Sequence, residues 1–318
     1  MDTRRLKSFL KIVDTGSLTR AADILHIAQP ALSQQIAALE AHFKQKLLIR
    51  SNQGVTPTEA GHALYRHAQL ILKQVEQARD DVSRSAMVLS GSVSVGLAPY
   101  STASSLALSL LKAVREAHPD IVLYINENFG TVLSELIMNG RMDMAVIYGG
   151  GPMRGVHFTP LHTEELFLIA PPGTLLPGGT GDVSLTALSE LDLLLPSGIH
   201  LLRKAVTTAF GRLKLEPRVI AEVESVTTLS EAIADGVGAT ILPWSVAARI
   251  EKSEGIVIRR VINPVIEVPV SMCVSDHLPM SATAMAVHAI LMRLVKELGV
   301  SGEWRGIKQA EESQLRLD

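Results

Sequence analysis

Apolar residues recur every three or four positions through the first forty residues. Leu6, Phe9, Leu10 and Val13 share one face, then Leu18, Ala21, Ala22 and Leu25, then Leu32, Ile36 and Leu39. That spacing predicts three short amphipathic helices. Ser17 stands at the N-cap of the second, where its hydroxyl can accept from a free backbone N–H, and Gly16 before it lets the chain turn sharply. Pro30 marks the start of the third, since the first helical position has no intrahelical partner for the missing N–H. Two β-prone runs, Leu47–Arg50 and Gly54–Thr56, flank the turn-rich Ser51-Asn52-Gln53 and predict a small hairpin.

From Thr58 the period changes. Leu64, Ala68, Ile71, Val75, Ala78, Val82, Ser85 and Leu89 alternate by four and three, a heptad seam. Thr58 and Glu59 suit a helix start and Ser90-Gly91 a stop, predicting about 32 residues and about 48 Å of helix. So long an apolar stripe points to dimerisation through Leu64, Ala68, Ile71, Val75, Ala78, Val82 and Leu89, against the alternative of packing on the chain's own body.

Beyond Gly91 short apolar runs alternate with helical patterns, predicting an α/β body with a mostly parallel sheet. Strands are expected at 93–97, 121–125, 144–147, 166–170, 193–195, 219–223, 239–242, 256–262 and 268–274. Helices are expected at 101–117, 131–138, 201–213, 226–234 and 282–298. The final stretch, Gly299 to Asp318, is polar, with mixed acids and bases, and reads as a mobile tail.

The outer face of the third helix carries Gln29, Ala31, Ser33, Gln34 and Ala37, with no carboxylate to repel phosphate. Gln can bond an adenine edge in bidentate fashion, Ser can donate or accept, and small apolar groups can meet a thymine methyl. Each good pairing discriminates by about 1–3 kcal/mol. The alternative is a solvated polar face on an ordinary three-helix bundle. The following hairpin shifts the balance, because a wing beside a reading helix is the winged helix-turn-helix arrangement, and Arg50 there can reach a phosphate or the minor groove. Residues 1–57 hold eight Lys/Arg against four acids, a net +4, while the whole chain carries −2 and the remainder therefore −6. A basic head on an acidic body suits nucleic-acid binding at one end.

Gly16-Ser17-Leu18-Thr19, Ala21-Ala22, the run Leu25 to Ser33, Leu39-Glu40 and Arg50…Gly54-Val55…Thr58-Glu59-Ala60-Gly61 together resemble the LysR-type transcriptional regulators. The likeness extends with weaker motifs, such as Asp143-Met144-Ala145-Val146, to about residue 298. Leu48 stands where that family often has Phe, and Pro57 where it often has Leu. The resemblance implies a winged helix-turn-helix (1–57), a linker helix (58–90) and a two-lobed effector domain (91–298) of the type 2 periplasmic-binding-protein fold. Lobe I would span about 91–163 and 267–298, and lobe II about 164–266. Ser17, Thr19, Arg20 and Pro30, with Asn52 and Gln53 on the wing, join Gln29, Ala31, Ser33, Gln34, Ala37 and Arg50 as the DNA-contacting set.

Two reading helices would meet two half-sites of an interrupted palindrome. The family's effector cleft lines up with Pro99, Tyr100, Ser101 and Thr102, with Asn128, Gly130 and Thr131, and with Pro196, Ser197 and His200, beside Tyr148 and Thr227. The Ser101, Thr102 and Thr131 hydroxyls can hold a carboxylate or simply cap helices. His200 and Arg203 are the candidate cations. Expected partners are double-stranded DNA, further copies of the chain as a dimer or tetramer, RNA polymerase and a small-molecule effector. A regulator controlled by its own abundance or by oligomer contacts fits nearly as well.

Composition agrees, with 47% hydrophobic residues and a mean hydropathy of +0.25 suiting sheets covered on both faces. No apolar run approaches 18 residues, and Lys7 and Lys11 interrupt the N-terminal stretch, so neither a membrane span nor a secretory signal is expected and the cytoplasm is the consistent compartment. The lone Cys273 lies among apolar neighbours and reads as buried and inert. Gly149-Gly150-Gly151-Pro152 lacks the Lys-Ser/Thr ending of a phosphate loop. Ser92 to Gly96 is no nucleophile elbow, and His62 and His67 are five apart, off a shared helical face. No catalytic residue, metal site or cofactor is expected. The rival reading is a two-lobed small-molecule-binding protein or enzyme with an appended helix-turn-helix.

Overall fold

A computed structural model describes residues 2–52, 54–83, 89–177, 179, 181–251, 255–301 and 304–310. The chain divides into two compact units, Met1–Met87 with Asn139–Arg141, and Val88–Met138 with Met142–Asp318. Gln53 and Ser85 lie outside the described residues.

In the first unit α1 (Thr3–Thr15), α2 (Leu18–Leu25) and α3 (Gln29–Phe43) precede a hairpin of β1 (Leu48–Ser51) and β2 (Gly54–Pro57), and α4 (Glu59–Ser83) follows. Asp2 caps α1 through the Arg4 N–H, and Ser17 caps α2 through the Arg20 N–H. The third helix starts one residue earlier than expected, so Pro30 is its second residue, which equally lacks an intrahelical acceptor. Leu6, Phe9, Ile12, Leu32 and Ile36 are wholly buried in the shared core, each contributing about 1.5–3 kcal/mol by burial. Ser8, also buried, donates to Gln35 Oε1 at 2.6 Å and ties α1 to α3.

The hairpin is held at both ends. Val55 N–H donates to Gly16 O at 2.8 Å, and a Cβ on Gly54, at φ +125°, would lie 2.7 Å from that carbonyl, so the approach of wing to turn requires glycine. Glu40 accepts from the Leu47 and Leu48 N–H groups at 3.0 and 3.3 Å and pairs with Lys46 at 2.9 Å. Leu48 is buried opposite Pro57 in the register, so both departures from the family pattern pack together.

The linker helix requires a correction. Leu64, Ala68 and Leu72 are buried in the core of the first unit, with Ile71 packed against it. The first half of the predicted seam is therefore covered by the chain's own head, because α1 lies along it. Leu89 is not on this helix at all and packs on the core of the second unit.

The second unit contains β3 (Gly91–Leu97), α5 (Thr102–Ser105), α6 (Ala107–Ala117), β4 (Ile121–Glu127), α7 (Gly130–Met138), β5 (Met144–Tyr148) and β6 (Val156–Ala170). There follow β7 (Val183–Ser184), β8 (Leu193–Leu195), α8 (Leu201–Arg212), β9 (Val219–Glu222), α9 (Val226–Ala234), β10 (Thr240–Pro243) and α10 (Trp244–Ile250). The unit ends with β11 (Val257–Ile262), β12 (Glu267–Ser275), α11 (Ala282–Ser301) and β13 (Ile307–Gln309). The helix expected over 101–117 is interrupted at Leu106, which caps both pieces.

The sheet is mixed rather than mostly parallel. β4, β3 and β5 are parallel neighbours, but β6 and β12 run antiparallel through the middle. The first half of β6 pairs with β12 and its second half with β10 and β11, so one 15-residue strand belongs to two sheet halves.

The expected tail is also corrected. Ile307–Gln309 pairs with Glu164–His162 of β6, Trp304 packs on the core, and the Arg305 guanidinium sits 4.5 Å from the Trp244 ring centroid. Lys308 reaches Glu165 at 3.0 Å and also pairs with Glu267. An open strand edge and a buried carboxylate supply what the polar residues need. Residues 302–303 and 311–318 lie outside the described ones.

Candidate nucleic-acid interface and ligand cleft

The outer face of α3 is open. Gln29, Pro30, Ala31, Gln34 and Ala37 are exposed and Ser33 is half-buried, while Leu32, Ile36 and Leu39 hold the opposite face in the core. No acid lies among them, and Glu40, the first acid of the helix, is turned onto the wing. Burial works against its charge, yet the Lys46 ammonium and the two N–H groups together hold its carboxyl below the usual carboxylate range. Thr19, Arg20, Arg50 and Asn52 are exposed. Ser17 is half-buried and its oxygen already serves as the cap of α2.

A shallow apolar groove of about 520 Å³ lies on the first unit between the end of α3 and α4, lined by Phe43, Leu47, Ala60, Leu64, His67 and Ile71. Further along α4, Val75 is half-buried, Ala78 exposed and Val82 84% exposed.

In the second unit a cavity of about 320 Å³ is lined by Phe129, Gly130, Thr131, Tyr148, His200 and Lys204, among others. His200 caps α8: its Nδ1 accepts from the Leu202 N–H at 3.3 Å, while the Tyr100, Phe129 and Tyr148 rings surround it at 5.6–6.2 Å. Its Nε2 is buried with no hydrogen-bond partner. Burial holds its pKa below the usual histidine value, with only the Glu224 carboxylate opposing. His200 is thus a neutral ring offering one N–H, not the cation expected. Arg203 is no free cation either, since it donates to Pro196 O and pairs with Glu222. Lys204, one helical turn from His200, lines the cavity instead.

Several other residues expected in the cleft are already occupied. Ser101 is wholly buried; its hydroxyl donates to Ala98 O at 2.6 Å and accepts from the Ser104 N–H, the plain capping role. Tyr100 is 1% exposed, with its hydroxyl on Val223 O at 2.8 Å. Thr102 is buried, and its N–H and hydroxyl both donate to Glu164. The Tyr148 ring faces the cavity, but its hydroxyl donates to Glu164 Oε2 at 2.7 Å. Asn128 accepts from the Phe129 N–H, Ser197 donates its N–H to Glu224, and Pro196 is buried. Pro99 is half-buried. Thr131 and Thr227 remain exposed, and of these two only Thr131 lines the cavity.

Sequence reasoning missed Lys204, Ser134 and Glu164. The i, i+4 spacing of His200 and Lys204 was a usable signal, as were two adjacent glutamates ahead of the apolar run Leu166–Ala170. Cys273 is buried as expected, and burial pushes its thiol up to about 12 despite the Ser134 hydroxyl. Among the described residues no group of histidine, cysteine or carboxylate side chains could hold a metal ion, and no helix is long and apolar enough to cross a membrane.

A helix with an open outer face free of acids, beside a braced wing, defines a DNA-reading head, and the second unit adds an α/β body with an aromatic-lined cavity. Residues 3–62 match the bacterial regulatory helix-turn-helix protein, lysR family, and residues 88–296 match the LysR substrate binding domain. The chain belongs to the LysR family and is a transcriptional regulator. It is 46% identical over 296 residues, 93% of this chain and 95% of the relative, to the nitrogen assimilation regulatory protein nac of Klebsiella aerogenes. Full-length CbnR in complex with its target DNA superposes with a TM-score of 0.65 at 25% identity, over 93% of this chain and 99% of that one. A full-length OxyR variant of Pseudomonas aeruginosa shares the fold, with a TM-score of 0.74 at 23% identity over 98% and 99% of the two chains.

Proposed function

We propose that this chain reads an interrupted palindromic operator in double-stranded DNA with the outer face of α3, as a dimer or tetramer assembled through α4, and that a small molecule beside His200 adjusts that binding. The state of α3 carries the reading. Gln29, Ala31, Gln34 and Ala37 lie exposed with no carboxylate among them, on a helix whose other face is fixed in the core and whose Glu40 is engaged by the wing. Arg50 and Asn52 of the wing would meet the adjoining backbone or minor groove.

The occupant of the groove beside Phe43 and Ile71 is α4 of a second copy, since Val75, Ala78 and Val82 continue the apolar stripe past the point where the chain's own head covers it. The boundaries are a head over 1–57, a linker over 58–90 and a ligand-binding body over 91–298. Likeness to a relative named for nitrogen assimilation supports genes of nitrogen assimilation as targets, and work on DNA as a transcriptional regulator suits RNA polymerase as the further partner and the cytoplasm as the compartment. The chain acts by binding, without catalysis.

A footprint on the DNA upstream of its own gene and of nitrogen-assimilation genes tests the reading. Protection of two half-sites is expected, and no preference over random duplex at moderate salt would overturn it. Val82→Asp is expected to leave the head folded and to shift the protein to monomer in analytical ultracentrifugation. An unchanged dimer fraction would remove the seam.

A further inference from the structure

The geometry points to Glu164 as a built-in ligand: its carboxylate fills an anion seat in the wall of the cleft that would otherwise take a small external carboxylate. Glu164 and Glu165 are consecutive on β6, so they point to opposite faces. Glu165 meets a bidentate Arg260 at 2.6 and 2.8 Å and Lys308, an ordinary ion-pair cluster at a partly open edge. Glu164 meets no Lys or Arg among the described residues. It is 2% exposed, and its Oε1 accepts the Thr102 N–H at 2.9 Å and the Thr102 hydroxyl, with His162 Nε2 at 3.1 Å. Its Oε2 accepts the Tyr148 hydroxyl at 2.7 Å.

One backbone N–H, two hydroxyls and a ring nitrogen thus converge on two oxygens, as they would around a bound carboxylate. The donors come from the segment after β3, from β5 and from β6 itself, so the seat does not depend on any one element. Two of them, Thr102 and Tyr148, are residues expected to hold an effector. The chain supplies the anion they would have bound.

This rests on the reading of the cleft as the effector site and narrows it. An effector places no carboxylate against Thr102, and what remains for it is the cavity beside Phe129, Thr131, His200 and Lys204. The seat itself is read without DNA, so its failure is distinct from failure of operator control, which the footprint reports.

Thermal midpoints of the full-length protein and of Glu164→Ala are compared in sodium acetate and sodium chloride at equal ionic strength. E164A is expected to melt below wild type and to gain about 3 °C from acetate in a saturable way, with no gain in chloride. Wild type is expected to respond equally to both salts, and Thr102→Val added to E164A should weaken the acetate effect. Indistinguishable salts on E164A, or a saturable acetate gain in wild type, would overturn the proposal. If E164A does not fold, Glu164→Gln decides: with its amide oxygen on Thr102 its N–H₂ meets the Tyr148 hydroxyl, which then loses the acceptor for its own proton, so a midpoint below wild type is expected, and one equal to wild type would overturn the proposal.

Discussion

The outer face of α3 and the cleft wall around Thr102 look alike on paper, each a short run of amides, hydroxyls and small residues at a helix start. They differ in where the polar atoms are used. On α3 the side chains of Gln29, Gln34 and Ala37 stand in solvent, while the helix is fixed from behind by Leu32 and Ile36. In the wall, Ser101 caps its own helix, and Thr102 and Tyr148 bind Glu164. A surface built to meet DNA leaves its polar groups in water until the duplex arrives. A buried wall must satisfy its groups at once, with an external ligand or with the chain itself.

The comparison breaks most sharply if the two faces of α3 are not independent. Leu32→Ala removes a wholly buried side chain from the head and is expected to cost about 2–5 kcal/mol, read by urea denaturation of the head's transition. A loss under about 1 kcal/mol would mean that the helix is not held by that core. Next in size is Glu40→Ala, which strips the acceptor from the Leu47 and Leu48 N–H groups and should cost about 1–3 kcal/mol.

The pH dependence of Glu40 has a definite sign. Its folded pKa lies below the unfolded value, so its stabilisation is complete above the ordinary carboxylate range and is lost as pH falls through the folded value. The stability difference between wild type and E40A should therefore shrink on acidification. A difference that stays constant as pH falls from neutral through the carboxylate range would argue that the carboxylate does not brace the wing.

The head was legible because its helices are set by local spacing and caps: Ser17 at its N-cap and Gly16 in its turn say the same thing as the apolar period. The first half of β6 was not. Val156 to Glu165 contains histidines, a proline, threonines and glutamates with no alternation, and it is a strand because β12 and β13 pair with it from either side. The α4 seam shows a different limit. Its heptad period identified Leu64 and Ala68 as residues needing cover, but it could not say whether α1 or a second chain provides it. In the cleft, hydroxyl positions could be read along the chain, whereas the carboxylate that occupies them comes from 62 residues further on.

Gln34→Ala sharpens the contrast on the open face. Stability should stay within about 0.5 kcal/mol of wild type, because the side chain lies outside the core. Operator affinity should fall by about 1–3 kcal/mol, and the loss should vanish on an operator changed at the base pair that Gln34 reads. Equal weakening on every sequence would make the residue a general surface contact instead.

The smallest effect belongs to the wing. Arg50 is exposed on β1, beside a turn held to Gly16 by the Val55 N–H. A guanidinium that neutralises one phosphate releases the counterions condensed there, so Arg50→Ala should flatten the dependence of log affinity on log salt by about 0.9. The measurement is a salt titration of operator binding for both proteins. Because a phosphate contact carries no sequence information, random duplex should show the same change in slope as the operator, the opposite of the pattern expected for Gln34. A slope equal to wild type on both DNAs would place Arg50 in solvent and leave sequence reading to α3 alone.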